Sequence, residues 1–139
     1  MYHGSSLENI DKIVSEGFCL DSEPGESGRK KQMLFGRGVY LSPLPGVGMM
    51  YGDSLLQCRV LLGRCERYHP TGAPPPTLAE HYDSRLVVRD GQDIVAVVRS
   101  PAQVLPYTIM EVRRELFTKA GGLQAQPTHT ATAAAHTQS

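Results

Sequence analysis

Two short segments combine glycine with a residue that carries a planar, polar ring. The first is Tyr2-His3-Gly4-Ser5, and the second is Phe35-Gly36-Arg37-Gly38-Val39-Tyr40-Leu41. Glycine lets the backbone approach a flat ligand closely because it has no side chain, and His and Tyr supply hydrogen-bonding groups and π-faces. The two segments therefore indicate a cleft for a flat, polar ring.

The elements that must position these segments predict an α+β fold, mostly antiparallel β-sheet with one clear helix. A strand ending at His3 leads into a helix over residues 6–16, which we expect to begin with a capping box of Ser5 and Glu8. Gly17 directly follows this helix, at the position where a glycine in the left-handed conformation commonly ends a helix.

Further along the chain, β-branched runs predict strands over residues 38–41, 55–62 and 104–112. Residues 85–89 and 93–98 read as a hairpin around Asp90-Gly91-Gln92. Pro106 cannot donate to a ladder, so it requires an edge strand or a bulge.

Length and composition predict one domain with a tail. The 139 residues contain no Asp, Glu, Lys or Arg from residue 120 onward. Such a segment buries too little apolar surface to offset its ordering entropy. We therefore expect a folded domain over residues 1–119 and a disordered tail over residues 120–139.

The charge balance and the cysteines exclude several function classes. Lys+Arg 14 balances Asp+Glu 14, so there is no global attraction to nucleic acid or to an anionic membrane. We expect no membrane span or secretory signal. Three widely spaced cysteines argue against a disulfide framework and for an intracellular location, cytoplasmic or nuclear.

No hydrolytic triad, phosphate-binding loop or pair of catalytic carboxylates can be assigned. Zinc binding by Cys58 and Cys65 with His69 or His81 lacks a second ligand pair at finger-like spacing, so we expect no metal site. Taken singly, His3 reads as a surface histidine, and Tyr40 and Tyr51 read as core aromatics. Their joint order favours a functional interpretation.

Five marks in order resemble the poly(ADP-ribose) polymerase-like, or diphtheria-toxin-like, ADP-ribosyltransferases. They are His3-Gly4-Ser5, Phe35-Gly36-Arg37-Gly38-Val39-Tyr40, Tyr51-Gly52-Asp53, Tyr82-Asp83-Ser84 and Gln103-Val104-Leu105-Pro106-Tyr107-Thr108-Ile109. The resemblance implies that NAD is the co-substrate and that an acceptor protein receives ADP-ribose. The family usually has strands before its histidine, so the resemblance also implies either an N-terminally truncated domain or a minimal one with a looser site.

The resemblance assigns roles to individual residues. His3 donates to a hydroxyl of the adenosine-side ribose, and Gly4 offers its backbone N–H and C=O to the nicotinamide carboxamide. Tyr40 and Tyr51 sandwich the nicotinamide ring, and Ser5 belongs to the same NAD-binding segment. His3 and Tyr40 are also the first two members of the family's catalytic triad.

The third triad position aligns with Ile109, where chain-elongating members carry a glutamate. The resemblance is therefore to the His-Tyr-Ile subgroup, which adds single ADP-ribose units or is inactive. A slip of register would present Glu111 instead, because residues two apart in a strand share a face.

Two alternatives to a mono-ADP-ribosyltransferase stay open. One is an inactive module of the same fold that binds NAD, ADP-ribose or a protein partner. It is favoured by Gly48, which stands where the family usually has a serine. The other is a relative of the tRNA 2′-phosphotransferases, for which the necessary set of Arg and His cannot be assigned.

Overall fold

The computed structural model describes residues 1–20, 34–73 and 75–111. The predicted domain end at residue 119 and the predicted disordered tail over residues 120–139 lie outside these residues. Within the described part of the chain the strands are β1 (Tyr2–Ser5), β2 (Val39–Leu41), β3 (Ser54–Val60), β4 (Cys65–Tyr68), β5 (Ser84–Arg89), β6 (Gln92–Val98) and β7 (Val104–Glu111).

The strands form two sheets, here called sheet 1 and sheet 2. Sheet 1 has the order β1-β3-β7 and is antiparallel throughout. Sheet 2 has the order β2-β6-β5-β4, in which only the β4–β5 pair is parallel. The predicted α+β fold with mostly antiparallel sheet is confirmed.

Helix α1 (Leu7–Glu16) follows β1 directly. Its N-cap is Ser6, whose hydroxyl accepts a hydrogen bond from the Asn9 N–H at 3.3 Å. The capping box expected at Ser5 and Glu8 is therefore wrong by one residue. Ser5 still belongs to β1, and α1 begins two residues later at Leu7, so Ser6 between them is the N-cap.

The end of α1 is where the sequence predicted it. Gly17 adopts a φ of 85°, and its N–H donates to the Ile13 carbonyl at 2.8 Å. The chain then turns so that the Phe18 ring meets the His3 ring edge-on, with centroids 5.0 Å apart. The helix end thus supports one of the candidate site residues.

The predicted hairpin is also confirmed. Asp90 and Gly91 connect β5 to β6 with φ values of 52° and 75°, and positive φ at both positions is the mark of a type I′ turn. Pro106 lies in β7, an edge strand of sheet 1, and Cys58 pairs with it at a register shift. Pro106 is thus both on an edge and beside a bulge.

Two clusters of buried apolar side chains hold the fold together. The larger one, core 1, joins α1 to both sheets and consists of Ile10, Val39, Leu41, Leu56, Cys58, Val98 and Val104. The smaller one, core 2, lies within sheet 2 and consists of Val87, Val95 and Val97. Tyr40 packs against core 2, whereas its chain neighbours Val39 and Leu41 belong to core 1. Strand β2 therefore separates the two cores.

Candidate active site

Strand β1 presents one backbone donor and one backbone acceptor at its outer edge. Met1 and Cys58 exchange hydrogen bonds of 2.7 and 2.8 Å, so residues 1, 3 and 5 direct their backbone groups toward β3. Tyr2 and Gly4 therefore direct theirs to the opposite edge. Tyr2 exchanges bonds of 2.7 and 2.8 Å with Ser42 there.

The Gly4 N–H and C=O come next along this edge. Gly4 is buried, and no described residue is hydrogen-bonded to either group. Buried backbone groups are almost always paired. This position is therefore where a ligand with a neighbouring acceptor and donor would be held.

His3 explains why the ladder stops before Gly4. A continued pairing of Tyr2 with Ser42 would set Gly4 opposite Tyr40. Instead, the Tyr40 carbonyl accepts from the His3 ring at 2.8 Å. Since a carbonyl oxygen can only accept, His3 carries a proton on Nδ1.

Three glycines let the segment after β2 close onto β1 through direct backbone contact. This segment is helix α2 (Pro45–Gly48) followed by a 3₁₀ turn (Met49–Tyr51). A Cβ added to Gly4 would lie 1.7 Å from the Gly48 carbonyl oxygen. A Cβ on Gly52 would lie 2.2 Å from the backbone of Ser5.

Tyr40 is fixed by its hydroxyl as well as by its ring. The hydroxyl donates to the Gly36 carbonyl at 2.5 Å and accepts from the Phe35 N–H at 3.0 Å. Burial raises the pKa of Tyr40, and the Tyr51 phenol raises it further by electrostatic interaction, while the Phe35 N–H and the Arg85 guanidinium act in the opposite direction. Tyr51, the second predicted stacking tyrosine, is 59% exposed.

Ile109 lies in one row with His3 across sheet 1. His3 pairs with Leu56, and Leu56 pairs with Ile109, so the three side chains share a face. Two strand spacings separate His3 from Ile109, about 10 Å. Ile109 packs against core 1, not against core 2 with Tyr40.

Glu111 and Ser5 share the next row of the same face. Both pair with Ser54, so the observed register places Ile109, not Glu111, level with His3. The buried Ser5 hydroxyl accepts from the Asn9 side-chain amide at 3.2 Å, so it is bonded to α1.

The arrangement thus brings His3, Gly4, Tyr40 and Tyr51 to one edge of β1 and leaves Ile109 two strands away. The family model of the poly(ADP-ribose) polymerase (PARP) catalytic domain matches residues 1–91, more than half of the 139 residues. The chain belongs to the PARP catalytic-domain family. No curated protein sequence matches it significantly.

PARP-family domains generally transfer ADP-ribose from NAD. The residues at the β1 edge fit the nicotinamide end of that co-substrate. A carboxamide has one acceptor oxygen and one donor NH₂ side by side, which complements the Gly4 N–H and C=O. Aromatic rings such as those of Tyr40 and Tyr51 stack against a planar heterocycle.

Gly48 departs from the serine usual in the family, and the structure gives a packing reason. A Cβ at Gly48 would lie 2.8 Å from Cδ2 of Leu55, so any side chain there requires Leu55 to move. Gly48 itself is buried against Gly4.

Sequence reasoning passed over Ile94. Val87 pairs with Val95 and Val88 with Asp93, so Ile94 is the extra residue of a β-bulge in β6. Its side chain packs against core 2, as Tyr40 does. A plain β-branched run gives no sign of a bulge, so nothing in the sequence pattern marked this isoleucine.

Sequence reasoning also passed over Arg85, which is 1% exposed. It read as an ordinary strand residue, and a buried arginine cannot be recognised from a single sequence without its partners.

Within residues 1–20, 34–73 and 75–111, no cluster of three or more His, Cys, Asp or Glu side chains could hold a metal ion. No helix of the described chain is long and apolar enough to span a bilayer.

Proposed function

We propose that this PARP-family domain is an NAD-dependent protein mono-ADP-ribosyltransferase. It transfers a single ADP-ribose from NAD to a side chain of an acceptor protein and releases nicotinamide. The observation that carries the proposal is the buried Gly4, whose N–H and C=O have no partner among the described residues. Gly4 lies between His3, which is bonded to the Tyr40 carbonyl, and the Gly48 carbonyl of the segment that leads to Tyr51.

In this proposal the nicotinamide carboxamide oxygen accepts from the Gly4 N–H, and its NH₂ donates to the Gly4 C=O. Each neutral hydrogen bond contributes about 0.5–1.5 kcal/mol. The Tyr40 and Tyr51 rings flank the pyridinium, and each stacking contact contributes about 0.5–1.5 kcal/mol to the binding free energy. His3, held by the Tyr40 carbonyl, contacts a ribose hydroxyl of the adenosine half.

The reaction breaks the bond between the nicotinamide nitrogen and C1′ of the ribose. The bonding electron pair leaves with nicotinamide, which becomes neutral, and an oxygen of an acceptor carboxylate forms the new bond to C1′. An Asp or Glu acceptor is already ionised at neutral pH, so no proton needs to be moved. The protein contributes by holding the leaving ring and the ribose in fixed orientation.

The third triad position favours single-unit transfer. Ile109 is level with His3 in the register of sheet 1, whereas Glu111 pairs one row further along. The Ile109 side chain offers no carboxylate to polarise a ribose hydroxyl as the next acceptor.

Labelled NAD tests the proposal. Wild-type protein incubated with NAD and candidate acceptors should give one label per modified site, which neutral hydroxylamine removes if the bond is an ester of Asp or Glu. Tyr40→Ala should abolish labelling. Tyr107→Ala is the control. Tyr107 lies on β7, where its ring faces the Arg59 guanidinium, so this variant should be labelled normally.

A ladder of long chains would contradict single-unit transfer. Equal labelling by Tyr40→Ala and Tyr107→Ala would contradict the assignment of the nicotinamide pocket.

The second candidate is a module of the same fold that binds NAD or ADP-ribose without turnover. Gly48 favours it, because the site lacks the serine hydroxyl and loses a hydrogen bond worth about 0.5–1.5 kcal/mol. A thermal shift with NAD, without labelled product, would select this module over the transferase.

A further inference from the structure

Arg85 is buried and contacts four groups from three parts of the chain, two of them in β4. Its Nε donates to the Glu66 carboxylate, Nη1 to the Phe35 carbonyl at 3.1 Å, and Nη2 to the Pro76 carbonyl at 2.7 Å. The guanidinium also lies 5.2 Å from the centroid of the Tyr68 ring. The planar fork of arginine can hold two carbonyls at once, which a lysine ammonium cannot do in the same geometry.

The Phe35-Gly36 turn connects Arg85 to Tyr40. Arg85 binds the carbonyl of Phe35, while the Phe35 N–H donates to the Tyr40 hydroxyl and the Gly36 carbonyl accepts from it. The Phe35-Gly36 turn is thus hydrogen-bonded to the Arg85 guanidinium on one side and to the Tyr40 hydroxyl on the other.

The sheet register supports the same link. Tyr40 pairs with Val97, and Val97 pairs with Arg85, so Tyr40 and Arg85 lie on one face of sheet 2. Gly36 adopts a φ of 97°, which glycine reaches without strain. A Cβ on Gly36 would lie 3.6 Å from Nη1 of Arg85, so the guanidinium lies directly against the turn.

We propose that Arg85 is a positioning residue for the nicotinamide site: by holding the Phe35-Gly36 turn, it fixes the two backbone groups that orient the Tyr40 ring. The inference rests on the proposed function, because it concerns how that site binds nicotinamide. Arg85 acts through the turn and Tyr40, and contacts no ligand itself.

The first test measures the dissociation constant of nicotinamide by calorimetry for Arg85→Lys. Its expected rise is about tenfold, because a loosened ring no longer meets the ligand in the productive geometry. Arg99→Lys is the matched control. Arg99 also binds several carbonyls, those of Leu78, Ala79 and Tyr82, but it holds a loop that does not touch Tyr40.

The second test asks whether Arg85 acts through the phenol. Tyr40→Phe keeps the ring and removes the hydroxyl that the turn grips. In that background Arg85→Lys should change the dissociation constant less than about twofold, so the two substitutions are not additive. An equal loss in both backgrounds would overturn the proposal, as would unchanged affinity of a folded Arg85→Lys protein.

Glu66→Gln keeps the test decisive if Arg85→Lys does not fold. It removes only the charge that anchors Nε, and the Glu66 side chain is 23% exposed. A loss of affinity that disappears in the Tyr40→Phe background supports the proposal, and a loss that persists overturns it.

A ligand-free measurement separates this inference from the proposed function. With ¹³Cζ-labelled tyrosine, Arg85→Lys or Glu66→Gln should shift the Tyr40 resonance, identified by its absence in Tyr40→Phe, and Arg99→Lys should not. An unmoved Tyr40 signal overturns the inference alone. A wild-type protein that binds no nicotinamide overturns the proposed function and, with it, the role of Arg85 in that site.

Discussion

At the scale of single residues, the site depends on the absence of side chains as much as on their presence. Gly4 has its Cα against the Gly48 carbonyl while its N–H and C=O face the outer edge of β1. Any other residue would force β1 and α2 apart. The same contact that closes the fold therefore shapes the place where we propose the carboxamide is bound.

Gly4→Ala tests this close approach. The added Cβ would lie 1.7 Å from backbone, which has little room to move, so we expect destabilisation of about 3 kcal/mol, at the upper end for overpacking, and loss of nicotinamide binding. Urea denaturation measures the free energy of unfolding. Gly46→Ala in α2, the helix that Gly4 packs against, is the control, since nothing lies within 4 Å of a Cβ added there. Equal stability of the two variants would contradict the contact.

The roles of His3, Gly4, Tyr40 and Tyr51 were predicted from the resemblance to the family, since residue types alone indicate no more than a groove lined by glycine and tyrosine. The structure places them around the outer edge of β1, and their roles stay predictions. The bulge at Ile94 could not be predicted, because it depends on the pairing of two strands. The assignment of Ile109 to the third triad position stays a prediction.

At the scale of elements, β1 and α1 are joined with no loop between them. Ser5 ends the strand and Ser6 caps the helix, so the direction of α1 is fixed where the site begins. Helix α1 then contributes Ile10 to core 1, and Phe18 after it meets His3.

Ser6→Ala should lower the free energy of unfolding by about 1 kcal/mol, because it removes the bond to the Asn9 N–H. Ser15→Ala in the same helix provides the comparison. The Ser15 hydroxyl donates back to carbonyls of α1, which does not strengthen a helix. Thermal or urea unfolding of both variants measures the difference, and equal effects would argue against Ser6 as the cap.

The sequence predicted those elements whose backbone conformation is set by the residues within them. The Asp90-Gly91 turn, the Gly17 cap and Pro106 at an edge each have a backbone reason visible in the sequence. Strand β4 (Cys65–Tyr68) was missed, since it is short, mixes polar and apolar residues, and pairs in parallel with β5 across a long connection. Nothing within four residues specifies such a partner.

At the scale of the whole molecule, the two cores lie on opposite sides of β2. Core 1 holds the sheets and α1 together and includes Cys58, which is 1% exposed. Burial raises the pKa of the Cys58 thiol from 9.0 to about 12, and the positive N-terminus acts in the opposite direction. The folded protein therefore keeps the thiol protonated when the unfolded chain has lost that proton.

Stability should consequently fall at alkaline pH. The unfolded thiol ionises from about pH 9 upward, which stabilises the unfolded chain, so the contribution of Cys58 is complete below pH 9 and is lost as the pH rises toward 12. The limiting slope is about 1.4 kcal/mol per pH unit. Urea denaturation between pH 8.5 and about 9.5, below the ordinary tyrosine pKa of about 10, should show stability falling toward this slope in wild type and not in Cys58→Ala. Identical slopes would contradict the burial of an intact thiol.

The central claim is that the edge of β1 at Gly4 binds the nicotinamide end of NAD between Tyr40 and Tyr51. A crystal structure of the protein with nicotinamide tests it most directly. We predict the carboxamide hydrogen-bonded to both the N–H and the C=O of Gly4, with the ring between the two phenols. A carboxamide bound elsewhere, or a Gly4 edge filled by the protein's own chain, would contradict the account.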